Sequence, residues 1–214
     1  MRWGTSRHER IEVAGRESEG HDMTDLPPKP SRDELTERAA RVRLLVFDVD
    51  GVLTDGGLYY GDGGEVMKRF DVKDGHGLVM ARLAGLRTAI LTARSSSIVE
   101  VRGRELGLSA IFQGRKDKSA GLDELLSQLG ATPEECAYMG DDLNDLGPLS
   151  RVGLSACPAD AALEVRQEVH YIARNRGGHG AARELVELCL RAAGHWEATV
   201  RQMKAAEALQ AVKL

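Results

Sequence analysis

Four short segments hold the residues most able to do chemistry. The first is Asp48-Val49-Asp50-Gly51-Val52-Leu53-Thr54-Asp55, two carboxylates two residues apart followed by a glycine. That spacing lets both carboxylates point into one space, and Gly51 lets backbone N–H groups approach an anion closely. Next come Thr92-Ala93-Arg94, a hydroxyl donor with a guanidinium just beyond it, then Lys118, then Gly140-Asp141-Asp142-Leu143-Asn144-Asp145. Carboxylates gathered in one place repel and raise each other's pKa unless a cation is present, and an all-oxygen set with water and phosphate is what Mg²⁺ prefers. A metal there would neutralise the carboxylates and bind a phosphoryl oxygen while Thr92 and Lys118 hold the others, which is the electrostatic arrangement phosphoryl transfer requires. One aspartate could then attack phosphorus. A second carboxylate two residues on could protonate the leaving oxygen and later activate water.

These residues lie far apart in the chain, so the fold must gather them. Each group follows an apolar run: Leu44 to Phe47 ends at Asp48, Leu86 to Leu91 ends at Thr92, a short strand near Ile111 precedes Lys118, and Cys136 to Met139 ends at Gly140. Helical spacing separates the runs. Leu78, Val79, Arg82 and Leu83 form one helix opening near Gly75 and stopped by Gly85, and others are predicted over 96–106 and 118–129. Strands near Val152-Gly153-Leu154 and Tyr171-Ile172 follow, then a helix over 181–193 with Ala182, Leu185, Val186 and Cys189 on one face. This alternation predicts an α/β fold, a Rossmann-like parallel sheet with helices on both faces. In such sheets ligands bind beyond the carboxyl ends of the strands, where the polar residues fall. Residues 58–72 break the rhythm, alternating around Gly61-Asp62-Gly63-Gly64 as a projecting β-hairpin.

The 214 residues suit one domain with a tail. With 42% hydrophobic and 29% charged residues and no apolar run of bilayer length, a membrane protein is excluded as the reading, and a net charge of −4 argues against a general nucleic-acid binder. Cys136, Cys157 and Cys189 are odd in number and widely spaced, supporting neither a disulfide framework nor a zinc site, and the charged N-terminus lacks the apolar stretch of a secretory signal. A cytoplasmic location is the expectation. Residues 1–30, ending in Pro27, Pro28 and Pro30, read as a disordered extension in which Met23 opens a second plausible start. Ser31 and Glu34 have capping-box spacing for a short helix running to about Ala40, and 195–214 reads as a final amphipathic helix carrying Trp196, Val200 and Met203.

The order Asp48-x-Asp50-Gly51-Val52-Leu53-Thr54, Thr92, Lys118, Gly140-Asp141-Asp142-x-Asn144-Asp145 resembles the four motifs of the haloacid dehalogenase superfamily of phosphatases. The resemblance covers residues from about 43 to 190, within a phosphatase domain placed at 31–194, and its joint motif set is far more specific than any one piece. It implies Asp48 as nucleophile, Asp50 as general acid/base, Lys118 and Thr92 as phosphate ligands, and Mg²⁺ held by Asp48, the backbone carbonyl of Asp50, and Asp141, with Asp142 nearby. The intervals 55–86 and 119–135 are too short for a cap domain, so the site should lie open unless a neighbouring subunit covers it. Within the capless subgroup, Asp48 to Gly56, Phe70 to Gly77 and Gly177 to Glu184 are similar to the 3-deoxy-D-manno-octulosonate 8-phosphate phosphatase family. That similarity implies an acidic sugar-phosphate substrate from lipopolysaccharide precursor synthesis, and a homotetramer whose hairpins contribute to neighbouring sites. Gly51, Thr92, Ala93, Arg94 and Lys73 are then the candidate substrate and phosphate ligands, with Lys68 and Arg69 as further basic candidates. Lys73 and His179 stand where arginine is usual, and Ala93 where glycine is. Two alternatives remain beside this reading: a phosphatase of a nine-carbon sialic-type acid 9-phosphate, and a non-catalytic tetramerising module. Taken singly, Thr92 could be a helix cap, Asn144 and Asp145 could begin a helix, and Asp74 could cap the helix after it.

Overall fold

The computed structural model describes residues 29–211, so all but Lys29 and Pro30 of the expected extension lies outside the described residues. Lys29 is anchored: its Nζ donates to the carbonyls of Arg166, Gln167 and Val169 at 2.6–3.0 Å. The elements run α1 (Arg32–Arg41), β1 (Leu44–Phe47), β2 (Tyr59–Gly61), β3 (Gly64–Met67), α2 (Val72–Leu83), β4 (Arg87–Leu91), α3 (Ser97–Leu106) and β5 (Ala110–Phe112). They continue with α4 (Lys118–Leu129), β6 (Cys136–Met139), α5 (Leu146–Leu149), β7 (Leu154–Cys157), α6 (Leu163–Glu168), β8 (Tyr171–Ile172), α7 (Ala181–Ala192) and α8 (Trp196–Ala211). No helix among the described residues is long and apolar enough to cross a membrane.

Six strands form one sheet in the order β5-β4-β1-β6-β7-β8, with every pair parallel. The chain builds outward from β1 through β4 to β5, then returns to the other side of β1 at β6. Strand order therefore reverses between β1 and β6, which opens a crevice at their carboxyl ends. Alternate residues of β1 face opposite layers. Leu45 and Phe47 pack with Ala39 of α1, Leu78 of α2, Val99 of α3 and Leu185 of α7, whereas Leu44 and Val46 pack with Leu122 and Leu125 of α4, Leu149 of α5 and Val165 of α6. The apolar β1 run thus closes both layers at once, as a strand covered on two faces must. Strands β2 and β3 form the separate antiparallel hairpin, and there is no cap domain among the described residues.

Several boundaries shift for identifiable reasons. Helix α2 begins at Val72, earlier than Gly75, because the Asp71 side chain accepts from the Lys73 N–H and caps it. Asp74 does not cap α2; it lies inside that helix, buried, and accepts from the backbone N–H groups of Gly180 and Arg183, so it caps α7 instead. Strand β7 starts at Leu154, since the Gly153 N–H is taken by the Pro133 carbonyl at 2.8 Å and the turn ends only there. The Ser31–Glu34 capping box forms as the spacing predicts. All three cysteines are buried and free. Trp196 at the start of α8 lies 4.0 Å beneath the Arg191 guanidinium, with Val200 and Met203 half-buried on the same side.

Glu184, in the first turn of α7, ties the last strand to this helix. It accepts from the Tyr171 hydroxyl at 2.6 Å, from the Arg174 backbone and guanidinium, and from Asn175. Burial alone would raise its pKa, but these hydrogen bonds outweigh burial and hold it below its ordinary value. A carboxyl depressed on folding stabilises the fold above its unfolded pKa, and that stabilisation is lost as pH falls through the folded value. Glu184→Gln should therefore lower stability by about 1–3 kcal/mol at pH 7. Thermal melts should show the gap to the parent chain shrinking once pH drops below the ordinary glutamate range, about 4.

Candidate active site

The strand ends assemble the residues that the motifs single out. Asp48 follows β1, Thr92 to Arg94 follow β4, Lys118 opens α4, and Gly140-Asp141 follow β6, all around the crevice between β1 and β6. Lys118, fully buried, reaches Asp48 Oδ2 at 2.9 Å and Asp145 Oδ1 at 2.6 Å. One oxygen of Asp48 is thus anchored, and the other, Oδ1, is buried without any hydrogen-bond partner. Gly51 takes φ +86°, and a Cβ there would lie 2.0 Å from Asp141 Oδ2. Only glycine lets the loop after β1 lie directly against the carboxylate supplied by β6. On the loop's far side Gly177 is packed so that its own Cβ would meet the Gly51 carbonyl at 1.8 Å, while the Gly178 N–H donates to the Val52 carbonyl.

Ligand oxygens of Asp48, Asp141 and Asp145 lie within 4.8 Å of one another. Asp145 is nevertheless already occupied. Its Oδ1 accepts from Lys118 and from the Tyr138 hydroxyl, each at 2.6 Å, and its Oδ2 accepts from the N–H groups of Asp141 and Asp142. The orphaned Asp48 Oδ1 and the Asp141 carboxylate are the oxygens left for a cation. The donor set is all oxygen, which fits Mg²⁺. Burial, together with the neighbouring Asp145, pushes Asp48 up to about 6 although Lys118 opposes it, and burial with Asp48 and Asp145 pushes Asp141 up to about 8. A further positive charge beside them would bring both back down. Burial tends to deprotonate Lys118, but Asp48 and Asp145 reverse this and hold its pKa above the ordinary value.

Of the other candidates, Thr92 is buried at the end of β4 with its backbone paired to Phe112 and Arg115, Ala93 is half-buried beside it, and Arg94 is exposed. Arg94 Nη2 donates to the Tyr60 hydroxyl at 2.6 Å, and its guanidinium ion-pairs with Asp50 at 3.5 Å and Glu65 at 3.6 Å. Asp50 also pairs with Lys68. Asp142 is exposed and caps the short 3-10 turn Leu143–Asp145. Lys73 stands apart, exposed on the first turn of α2, with no side-chain hydrogen bond or ion pair to the site residues. Arg69 is used structurally, donating to the Gly178 carbonyl and pairing with Asp55.

Sequence reasoning missed the role of Asp145, which is the hub of the site, and of Tyr138 and Glu65. A signal for Tyr138 did exist: a tyrosine in a fully buried strand needs a partner for its hydroxyl, and a carboxylate in the following loop is the nearest choice.

A two-layered parallel sheet with this carboxylate–lysine cluster at its switch point defines a haloacid dehalogenase-like hydrolase, and the model of that family matches residues 83–185. The 3-deoxy-D-manno-octulosonate 8-phosphate phosphatase KdsC of Yersinia pestis is 42% identical over 161 residues, 75% of this chain and 86% of that protein. The Escherichia coli K12 enzyme of the same name is 41% identical over 77% of this chain and 88% of its own length. A solved structure of the Moraxella catarrhalis phosphatase, in complex with magnesium ion, phosphate ion and KDO, aligns with a TM-score of 0.78 at 38% identity, covering 81% of this chain and 99% of that one. The chain belongs to the 3-deoxy-D-manno-octulosonate 8-phosphate phosphatase family.

Proposed function

We propose that the chain is a Mg²⁺-dependent phosphomonoesterase that hydrolyses 3-deoxy-D-manno-octulosonate 8-phosphate to the free sugar acid and phosphate, in the cytoplasm, during synthesis of lipopolysaccharide precursors. The observation that carries this reading is the Asp48 carboxylate, buried at the switch crevice with one oxygen held by Lys118 and the other uncommitted. Asp48 attacks phosphorus and forms an aspartyl phosphate, and Asp50 protonates the departing sugar oxygen. In the second step Asp50 takes a proton from water, which attacks phosphorus and frees Asp48. Lys118 keeps Asp48 oriented and, with Thr92, offers donors to the phosphoryl oxygens. Asp48, the Asp50 carbonyl and Asp141 would hold Mg²⁺, which supplies charge neutralisation for the transferring group when bound.

The substrate assignment is supported by the relatives' activity and by Arg94 at the site's rim. The Lys73 exchange bears on recognition of the substrate carboxylate, where lysine lacks arginine's bidentate fork. A homotetramer is supported by the hairpin, whose Leu58, Tyr59, Tyr60, Val66 and Met67 are all exposed, so that a neighbouring copy could cover them and the hairpin could close a neighbour's site.

The test is phosphate release from the eight-carbon substrate with Mg²⁺ and with EDTA, beside a nine-carbon acid phosphate and an aryl phosphate. Release should be fastest from the eight-carbon acid and fall by at least about 100-fold in EDTA. Preference for the nine-carbon acid would keep the chemistry and replace the substrate. Silence on all three would support the non-catalytic module.

A further inference from the structure

We propose that Lys68 is a positioning residue for Asp50, so that the hairpin's returning strand carries the buried charge partner of the general acid/base, beside the exposed Arg94; this rests on the phosphatase reading above. Lys68 follows β3 directly, and its side chain is only 1% exposed. Its ammonium is shared between Asp50 and Glu65 Oε1, the latter at 2.9 Å. Glu65 is in turn anchored by the Ser96 hydroxyl and by Arg94 at the mouth of β4. Two residues on from Lys68, Phe70 bridges back to Thr54 in the loop after β1. The returning strand is therefore fixed at both ends around Asp50.

The chemical consequence follows from the first step. As the bond from Asp48 to phosphorus forms and the ester P–O bond breaks, the leaving alkoxide takes the proton of the Asp50 carboxyl, and Asp50 becomes an anion. Lys68 faces that anion at a fixed distance and holds the carboxylate in one orientation. An aligned donor gains most when the leaving group is poor, and misalignment near 1 Å costs about 100-fold. An aryl phosphate departs without needing that proton.

Lys68→Met keeps the apolar stem and removes the charge. With the Mg²⁺-loaded full chain, first-turnover quench-flow should show release of the sugar acid slowed by about 100-fold, with KM within about threefold and the nitrophenolate burst from 4-nitrophenyl phosphate within about threefold. Lys68→Arg should recover at least about a tenth of the lost rate, because an arginine still pairs with Asp50. Glu65→Gln leaves Lys68 in place and should slow the same step by about tenfold, with the same substrate selectivity, so the inference stays testable if Lys68→Met does not fold. Equal slowing of both substrates, or no slowing of either, would overturn the positioning role. Failure of the parent chain itself to release phosphate would overturn the phosphatase reading instead, and that arm is read before any variant.

Discussion

Asp48→Asn should remove phosphate release, by at least about four orders of magnitude, while leaving the fold intact. The amide keeps the shape of the carboxylate and one oxygen for Lys118, so packing against the fully buried Val49 and Phe47 is undisturbed. Its effect on stability has a definite sign. Burial and Asp145 raise the Asp48 pKa to about 6 against the pull of Lys118, so in the metal-free chain folding disfavours the charged form. A neutral amide removes that penalty at neutral pH. Metal-free Asp48→Asn should therefore melt at the same temperature as the parent chain or higher. Retained turnover would refute the nucleophile assignment, and a large fall in melting temperature would make Asp48 a structural residue.

Asp145→Ala should do the reverse and damage the fold. Four donors converge on this one carboxylate: Lys118 Nζ, the Tyr138 hydroxyl, and the N–H groups of Asp141 and Asp142. Removing it leaves the buried Tyr138 hydroxyl and two backbone N–H groups without their acceptor and the Lys118 ammonium with Asp48 alone, a loss of about 3–5 kcal/mol. For a chain of this size the melting temperature should drop by on the order of 10 °C. Differential scanning calorimetry would read it, and a shift of only 1–2 °C, roughly 0.5 kcal/mol, would mean that water replaces the carboxylate and that the hub is not structural. Asp145→Asn should fall between, because an amide satisfies Lys118 and Tyr138 through its oxygen but presents hydrogens to the two backbone N–H groups.

These two aspartates also show how much of the protein could be read in advance. Asp48, Asp50 and Asp141 were legible because each follows an apolar run by three residues or fewer, and Lys118 because it opens the helix after the next strand, positions a parallel sheet puts on one edge. The strands Leu44–Phe47, Cys136–Met139 and Tyr171–Ile172 were legible because short, wholly apolar or β-prone runs leave little choice of register. Asp145 was not, since its spacing also fits an ordinary helix start, and only the buried Lys118 and Tyr138 that donate to it distinguish the two. Asp74 failed in the same way: the chain places it where a local cap belongs, yet its partners lie across the interface between α2 and α7. Charge alone groups Lys68 with the substrate-binding bases, and charge does not say which lysine is enclosed. Long-range polar contacts of this kind have no periodicity and leave no mark on the local pattern.

The close approach of Gly177 to the Gly51 carbonyl has one more consequence, concerning the order of events at the ribosome. The loop bearing Asp48 is synthesised early, but the backbone that braces its outer side arrives only after β8, and α7 must dock to hold that backbone in place. A nascent chain that has released α4 already contains Asp48, Asp50, Thr92 and Lys118, yet it lacks both the β6 carboxylate and the glycine buttress. The cluster is therefore complete only late, once first the β6 carboxylate and then the Gly177 backbone lie against the amino-terminal loop. Until then the growing polypeptide is a half-built sheet whose strand-end cluster lacks a carboxylate or its brace.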